Sequence, residues 1–175
     1  MQKLIMVKYG EIALKKQNRS YFINALVKNI KNAIHEFPNI KCVQIQGRIV
    51  VENIALDEEE IVLQKLKKVF GIVALTRAYE VEADMEIIKD TALMIMKNKH
   101  NITFKVEARR SDKNFAMTSP QISKAVGAHV LVNTEDITVD VHQPDITLNV
   151  EIRKNAYIYY ENIPCEAGMP TGVSG

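Results

Sequence analysis

The stretch VQIQGRIVVE, residues 43–52, decides the fold. Apolar and polar side chains alternate on both sides of Gly47, which makes two short strands joined by a tight turn that glycine accommodates. A hairpin alone buries too little to be stable, so its neighbours matter. Upstream, from Arg19 onward, the apolar period becomes helical: Phe22, Leu26, Ile30, Ala33 and Phe37 line one side, Ile23, Val27 and Ile34 widen it, and Pro38-Asn39 stops it. Earlier still, KLIMVK at residues 3–8 has the length of a buried strand and runs into the polar, turn-like KYGEI. Downstream, Asp57 reads as an N-cap with Glu60 as its capping-box partner, opening a helix that buries Val62, Leu66 and Val69 and ends at Gly71. IVALTRAYEVE, residues 72–82, supplies a further strand.

The order β-α-β-β-α-β is the ferredoxin-like arrangement, in which two helices cover one face of an antiparallel sheet. Residues 1–77 are expected to form this domain. In the second half, Asp84 caps a helix running to about Lys97, with Ile88, Ala92 and Ile95 on its apolar side. Met85, Met94 and Met96 read as core filling. ITFKVEAR, residues 102–109, alternates as a half-buried strand: Ile102, Phe104, Val106 and Ala108 face one way, Thr103, Lys105, Glu107 and Arg109 the other. Ser119 can cap the next helix, with Pro120 at its first position and Ile122, Val126 and Val130 as its apolar row. Strands follow at 137–141, 146–153 and 156–161, giving α-β-α-β-β-β over residues 78–163. The fold class is α+β, with two different domains. From about Asn162 the pattern stops, and NIPCEAGMPTGVSG has linker chemistry, so residues 164–175 are expected to be a linker.

The whole chain is 175 residues with a formal charge of +2, and that total conceals a segregation. Residues 1–77 carry a net +6 and residues 78–175 a net −4, yet within the acidic half residues 97–134 hold seven Lys/Arg against Glu107 and Asp112. Segregated positive charge is what a polyanion binder needs. Apolar runs too short to span a membrane, and an N-terminus without a signal peptide's apolar block, point to a cytoplasmic protein and no membrane partner. Cys42 and Cys165 are isolated thiols without metal spacing, and the four histidines form no ligand pattern, so neither a catalytic nor a metal site is read.

Two basic constellations carry the functional reading. Lys15, Lys16 and Arg19 surround a helix entry, where the dipole disfavours cations, so an external anion is one explanation and a solvated basic helix start the other. In ARRSDKNFAMTSP, residues 108–120, Arg109 leaves the polar face of a strand, Arg110 and Lys113 sit in the loop, and the loop ends at a helix N-terminus. Two guanidinium forks, an ammonium and helix N–H groups can hold adjacent phosphates. Asp112 can instead orient one arginine internally, and Phe115 can be a stacking platform or a core anchor.

KYGEIALK, NRSYF, GRIVVE, VEARRSDKNF with SPQI and Gly127, and finally GMPTGVSG, in this order, resemble the N-terminal part of the tRNA 4-thiouridine synthetases, the ThiI family of tRNA sulfurtransferases. The resemblance spans essentially the whole chain. It implies a ferredoxin-like domain followed by a THUMP domain, with residues 164–175 leading toward an ATP-pyrophosphatase domain that carries the catalysis. It further implies tRNA binding at the 3′ acceptor end through Arg109, Arg110 and Lys113, with Lys124 and the Ser119 helix end supporting, and Lys15, Lys16 and Arg19 on the duplex backbone. ATP with magnesium is implied only for the catalytic domain, and the chain by itself is expected to be inactive. A homodimer, a cysteine desulfurase as sulfur donor and a link to thiamine thiazole synthesis also follow from the resemblance. The alternative is a stand-alone THUMP-type RNA-binding adaptor serving a separate tRNA-modifying enzyme.

Overall fold

A computed structural model describes residues 1–10, 18–45 and 47–165. Its elements run in chain order β1 (Gln2–Tyr9), α1 (Arg19–Ala33), β2 (Lys41–Ile45), β3 (Arg48–Glu52), α2 (Glu59–Leu66), β4 (Ile72–Glu82), α3 (Met85–Met96), β5 (Ile102–Arg110), α4 (Ser119–Val132), β6 (Ile137–Val139), β7 (Ile146–Ile152), β8 (Asn155–Tyr159) and β9 (Ile163–Pro164). Mixed strands and helices in this order make an α+β protein. Contacts divide it into two compact units, Lys3–Arg77 with the segment from Glu161 onward, and Met1–Gln2 with Ala78–Tyr160. Among the described residues no helix is long and apolar enough to cross a membrane.

In the first unit the strands lie in the order β2-β3-β1-β4. Antiparallel register sets Ile5 opposite Val51 and Cys42 opposite the same Val51. Because side chains alternate along a strand, that register puts Ile5, Val7, Cys42, Ile49 and Val51 into one core with Ile23, Leu26 and Ile30 of α1 and Val62, Leu63 and Leu66 of α2. Two glycines make the connections possible. Gly47 has φ +80°, and Ile45 pairs with Arg48 across the turn it occupies. Gly71 has φ +101°, and a Cβ there would sit 3.4 Å from both Leu26 Cδ1 and Phe22 Cζ, so a side chain would be strained as well as crowded.

Two differences from the sequence reading concern this unit. Asp57 does not cap α2: Glu58 occupies the N-cap position without a side-chain cap bond. Its Oε1 instead accepts the N–H of Ala55 at 3.0 Å, closing a turn that delays the helix, and Glu60 Oε1 accepts from Gln64 rather than closing a capping box. The segment expected to begin a linker also stays in the fold. Leu75 pairs with Ile163 and Ala74 with Pro164, Cys165 N–H donates to Val73 O at 2.9 Å, and the Cys165 side chain is buried in the first core. Arg77 fastens this return. Its Nε and Nη2 donate to the two Glu161 oxygens at 2.8 and 2.6 Å, and Nη1 donates to Glu59 Oε1 at 3.3 Å. Lys3 completes the network, 3.0 Å from Glu59 Oε2. Residues 166–175 lie outside the described residues.

The second unit orders its strands β4-β8-β7-β5-β6. β5 is parallel to both of its neighbours, which suits strands joined by a crossover helix, while β7-β8 and β8-β4 are antiparallel. Phe104, Leu148, Val150, Ile152 and Ile158 meet Ile88, Ala92 and Met96 of α3 and Ile122, Val126 and Val130 of α4 in a second core. Asp84 caps α3 as the sequence implies, its Oδ1 accepting from Glu86 N–H and Ile87 N–H. α4 corrects the expected cap by one residue. Thr118, in extended conformation, is the N-cap and forms a capping box with Gln121, while Ser119 is the first helical residue. Only an extended residue can turn its hydroxyl back onto the third N–H, and Thr118 holds that conformation.

Candidate nucleic-acid interface

The crossover from β5 to α4 organises the basic residues, and its internal bonds separate those that build the loop from those that face outward. Arg109 is the penultimate residue of β5, in register with Glu151 of β7. Its side chain is 72% exposed, with Nη2 3.6 Å from Glu151 Oε1. Glu151 is 5% exposed and accepts a 2.6 Å hydrogen bond from the Tyr159 hydroxyl, while Arg153 Nε lies 3.9 Å from its other oxygen. A buried carboxylate is tolerated only when donors and cations surround it. Arg109 therefore has a foot on a fixed anion and a guanidinium that reaches solvent.

Arg110 behaves differently. Its Nη1 donates to the carbonyls of Lys113 and Phe115, at 2.9 and 3.1 Å. Asp112 accepts from Asn114 N–H at 2.9 Å, Phe115 N–H donates to Asp112 O, and Ser111 N–H is fixed on Ile152 O. The loop is thus folded around the Arg110 side chain. One arginine is indeed directed inward, but two carbonyls direct it, and Asp112 serves a local turn. Phe115 is half-buried and packs against the second core, which settles it as a core anchor.

Lys113 and Lys124 are exposed, the first in the loop and the second one helical turn inside α4. The helix end between them offers less than the sequence suggests. Gln121 N–H is taken by the Thr118 hydroxyl, Ile122 N–H by the Thr118 carbonyl, and Pro120 has none, which leaves the N–H of Ser119 facing an outside acceptor. Positive charge around the loop comes mainly from side chains. His129, on α4, is part-buried, with its Nε2 3.4 Å from Asp90 Oδ1 of α3 but without a hydrogen-bond partner.

In the first unit Arg19 is the first residue of α1 and is exposed. The helix start has no side-chain cap and no acid in its first turn, so among the described residues of that turn no acid offsets a cation against the dipole. Tyr21, 80% exposed beside it, was not singled out in the sequence, where an aromatic on a helix with an apolar stripe reads as core. Lys15 and Lys16 lie outside the described residues. Glu151 and Tyr159 were also missed: the alternation in ITLNVEI and NAYIY puts them on one strand face, but the register sets Glu151 opposite Tyr157, and the Tyr159 hydroxyl reaches it diagonally. Among the described residues no three His, Cys, Asp or Glu side chains gather as a metal site.

A ThiI ferredoxin-like domain model matches residues 4–76 and a THUMP domain model residues 82–161. A probable tRNA sulfurtransferase of Caldanaerobacter subterraneus is 47% identical over 175 residues, all of this chain and 46% of the relative. One from Acetivibrio thermocellus is 42% identical, again over 100% of this chain and 46% of the relative. The chain thus spans about half the length of the curated relatives it matches. A crystal structure of a 4-thiouridine synthetase in complex with RNA and bound ATP superposes with a TM-score of 0.78 at 30% identity, covering 94% of this chain and 42% of that one. The chain is a ThiI ferredoxin-like domain followed by a THUMP domain and belongs to the tRNA sulfurtransferase family as its N-terminal part.

Proposed function

We propose that this chain is the tRNA-gripping part of an ATP-dependent tRNA sulfurtransferase that makes 4-thiouridine. The observation that carries the reading is the set of outward cations, Arg109, Lys113 and Lys124, around a loop that Arg110 holds in shape. Side chains of this kind bind phosphate, fix the register of the RNA and give affinity that depends on salt, without chemistry of their own. Ser119 N–H adds one donor at the helix end, and Arg19, with Lys15 and Lys16, is assigned to the duplex backbone. The bound element is the 3′ acceptor end of tRNA. Adenylation and sulfur transfer fall to the part of the relatives that this chain does not span, together with ATP and magnesium. A cysteine desulfurase as sulfur donor, a homodimer presenting tRNA from one subunit to another, a role in thiamine thiazole synthesis and a cytoplasmic location complete the reading.

The test is a titration of tRNA against the chain over a range of salt. Affinity should fall steeply as salt rises, and the double replacement Lys113→Ala with Lys124→Ala should lower the slope of log affinity against log salt by about 1.5. Wild-type binding that ignores salt, or a double variant that binds like wild type, would sink the assignment.

A further inference from the structure

β2 is the outermost strand of the first unit, and among the described residues no strand pairs with its outer edge. Two residues separate Ile45 from Arg48, its partner across the turn, and so short a turn closes on a pair that exchanges both backbone hydrogen bonds. Counting back from Ile45, Val43 and Lys41 also bond to β3, and the N–H and C=O groups of Cys42 and Gln44 point outward. An edge of this kind is a template for another strand.

A groove of about 390 Å³ lies along that edge, between β2, the end of α1 and the segment joining them. Ile34, Phe37, Ile40 and Val43 give it an apolar lining. Ile34 is buried and the other three are half-buried, so the groove is a seat for side chains rather than a gap in the core. Lys31, His35 and Lys41, all exposed, line it as well, and among the described residues no acid does. The acid nearest in sequence, Glu36, is engaged by Lys65 of α2 at 2.7 Å.

These features select the occupant. Outward N–H and C=O groups match a polypeptide, whose own groups alternate in the same way, whereas an RNA backbone offers acceptors alone and would confront the Cys42 and Gln44 carbonyls. Cations with no acid among them call for carboxylates. A second copy of this chain is disfavoured, because pairing β2 with itself brings Lys31 and Lys41 against the same residues of the other copy. We propose that the outer edge of β2 is a docking site for a partner protein, which adds an extended acidic segment as a further strand and sets its apolar side chains into the groove.

The full 175-residue chain is titrated with two fluorescein-labelled synthetic peptides, one alternating valine with glutamate and one alternating valine with lysine. The acidic peptide should bind about ten-fold more tightly, the scale of two exposed ion pairs. It should also slow hydrogen exchange at the Cys42 and Gln44 amides. Gln44→Pro removes an outward N–H that the fold does not use, and an edge strand accommodates proline there. This variant should lower acidic-peptide affinity at least about ten-fold and leave tRNA affinity unchanged. Lys31→Glu with Lys41→Glu, both on the surface, should reverse the preference between the peptides, and it reports even if the proline variant misfolds. Absence of binding, equal binding of the two peptides, or binding that leaves Cys42 and Gln44 unprotected overturns the proposal. So does a concentration-dependent dimer of the free chain that Gln44→Pro abolishes, which makes a second copy the occupant. Displacement of the acidic peptide by tRNA overturns it too, and assigns the groove to the nucleic-acid surface.

Discussion

Replacing Arg110 with alanine should weaken RNA binding without changing its dependence on salt, whereas replacing Arg109 should change both. The two side chains are adjacent in sequence but have opposite settings. Arg110 Nη1 makes two charge-assisted bonds, 2.9 Å to Lys113 O and 3.1 Å to Phe115 O, the first exposed and the second partly buried. Each would stabilise by about 1.5–3 kcal/mol if buried. Solvent screening at this exposure brings the pair to about 2 kcal/mol in total. That energy corresponds to about a thirty-fold shift in the equilibrium between the folded and open loop. Affinity falls only by the fraction of loop that is lost, so about thirty-fold is the upper limit. Arg109 lends its exposed guanidinium to a phosphate, and removing it should lower the slope of log affinity against log salt by about 0.7–0.9. Hydrogen exchange at Lys113–Phe115 should accelerate in Arg110→Ala and stay at the wild-type rate in Arg109→Ala. Arg110→Lys should not rescue, because an ammonium on a flexible stem cannot reach both carbonyls from one planar group. The reasoning fails if Arg110→Ala lowers the salt slope as much as Arg109→Ala does while the loop amides exchange at the wild-type rate. That outcome would make Arg110 a direct phosphate ligand.

Arg77→Met should destabilise the first unit by about 2–3 kcal/mol, because it leaves Glu59 and Glu161, only 16% and 20% exposed, without their shared cation. Urea unfolding of Arg77→Met, Glu161→Gln and the double variant measures the coupling, and additive single effects would refute it. Burial pushes the Cys42 thiol up to about 11 from its usual 9, against a smaller opposing pull from Lys31. The folded chain therefore keeps this proton while the unfolded chain releases it, and stability should fall by about 2–3 kcal/mol between about pH 9 and pH 11. Cys42→Val should lack that part of the loss, and identical pH profiles for variant and wild type would contradict the burial argument.

The alternation around Gly47, the helical stripe from Phe22 to Ile30 and the strand pattern of residues 102–109 were sufficient to read both domains, because each is a local periodicity that the chain can satisfy in only one way. KYGEIALK, VEARRSDKNF and GMPTGVSG carried the family in the same manner. Asp84 was legible as a cap because a short acid, able to accept backbone N–H groups, stands just before an apolar row. Asp57 misled because three further acids follow it, and the choice among them depends on which side chain folds back onto Ala55.

Other features were decided only by tertiary structure. Nothing in the residues around Pro164 announces a strand, since a two-residue pairing against Ala74 and Leu75 has no period, and the ion pair that fastens it joins positions 84 apart. The basic cluster was legible as a set of charges but not as a division of labour. Whether an arginine grips phosphate or braces its own loop depends on which carbonyls the chain brings within 3 Å of it. The groove beside β2 arises because β2 is the outermost strand of its unit, a position that the pairing order sets and no local pattern records. Periodicity is a property of neighbours along the chain and can be read there, whereas long-range pairing, strand ends and the space between elements are set by packing.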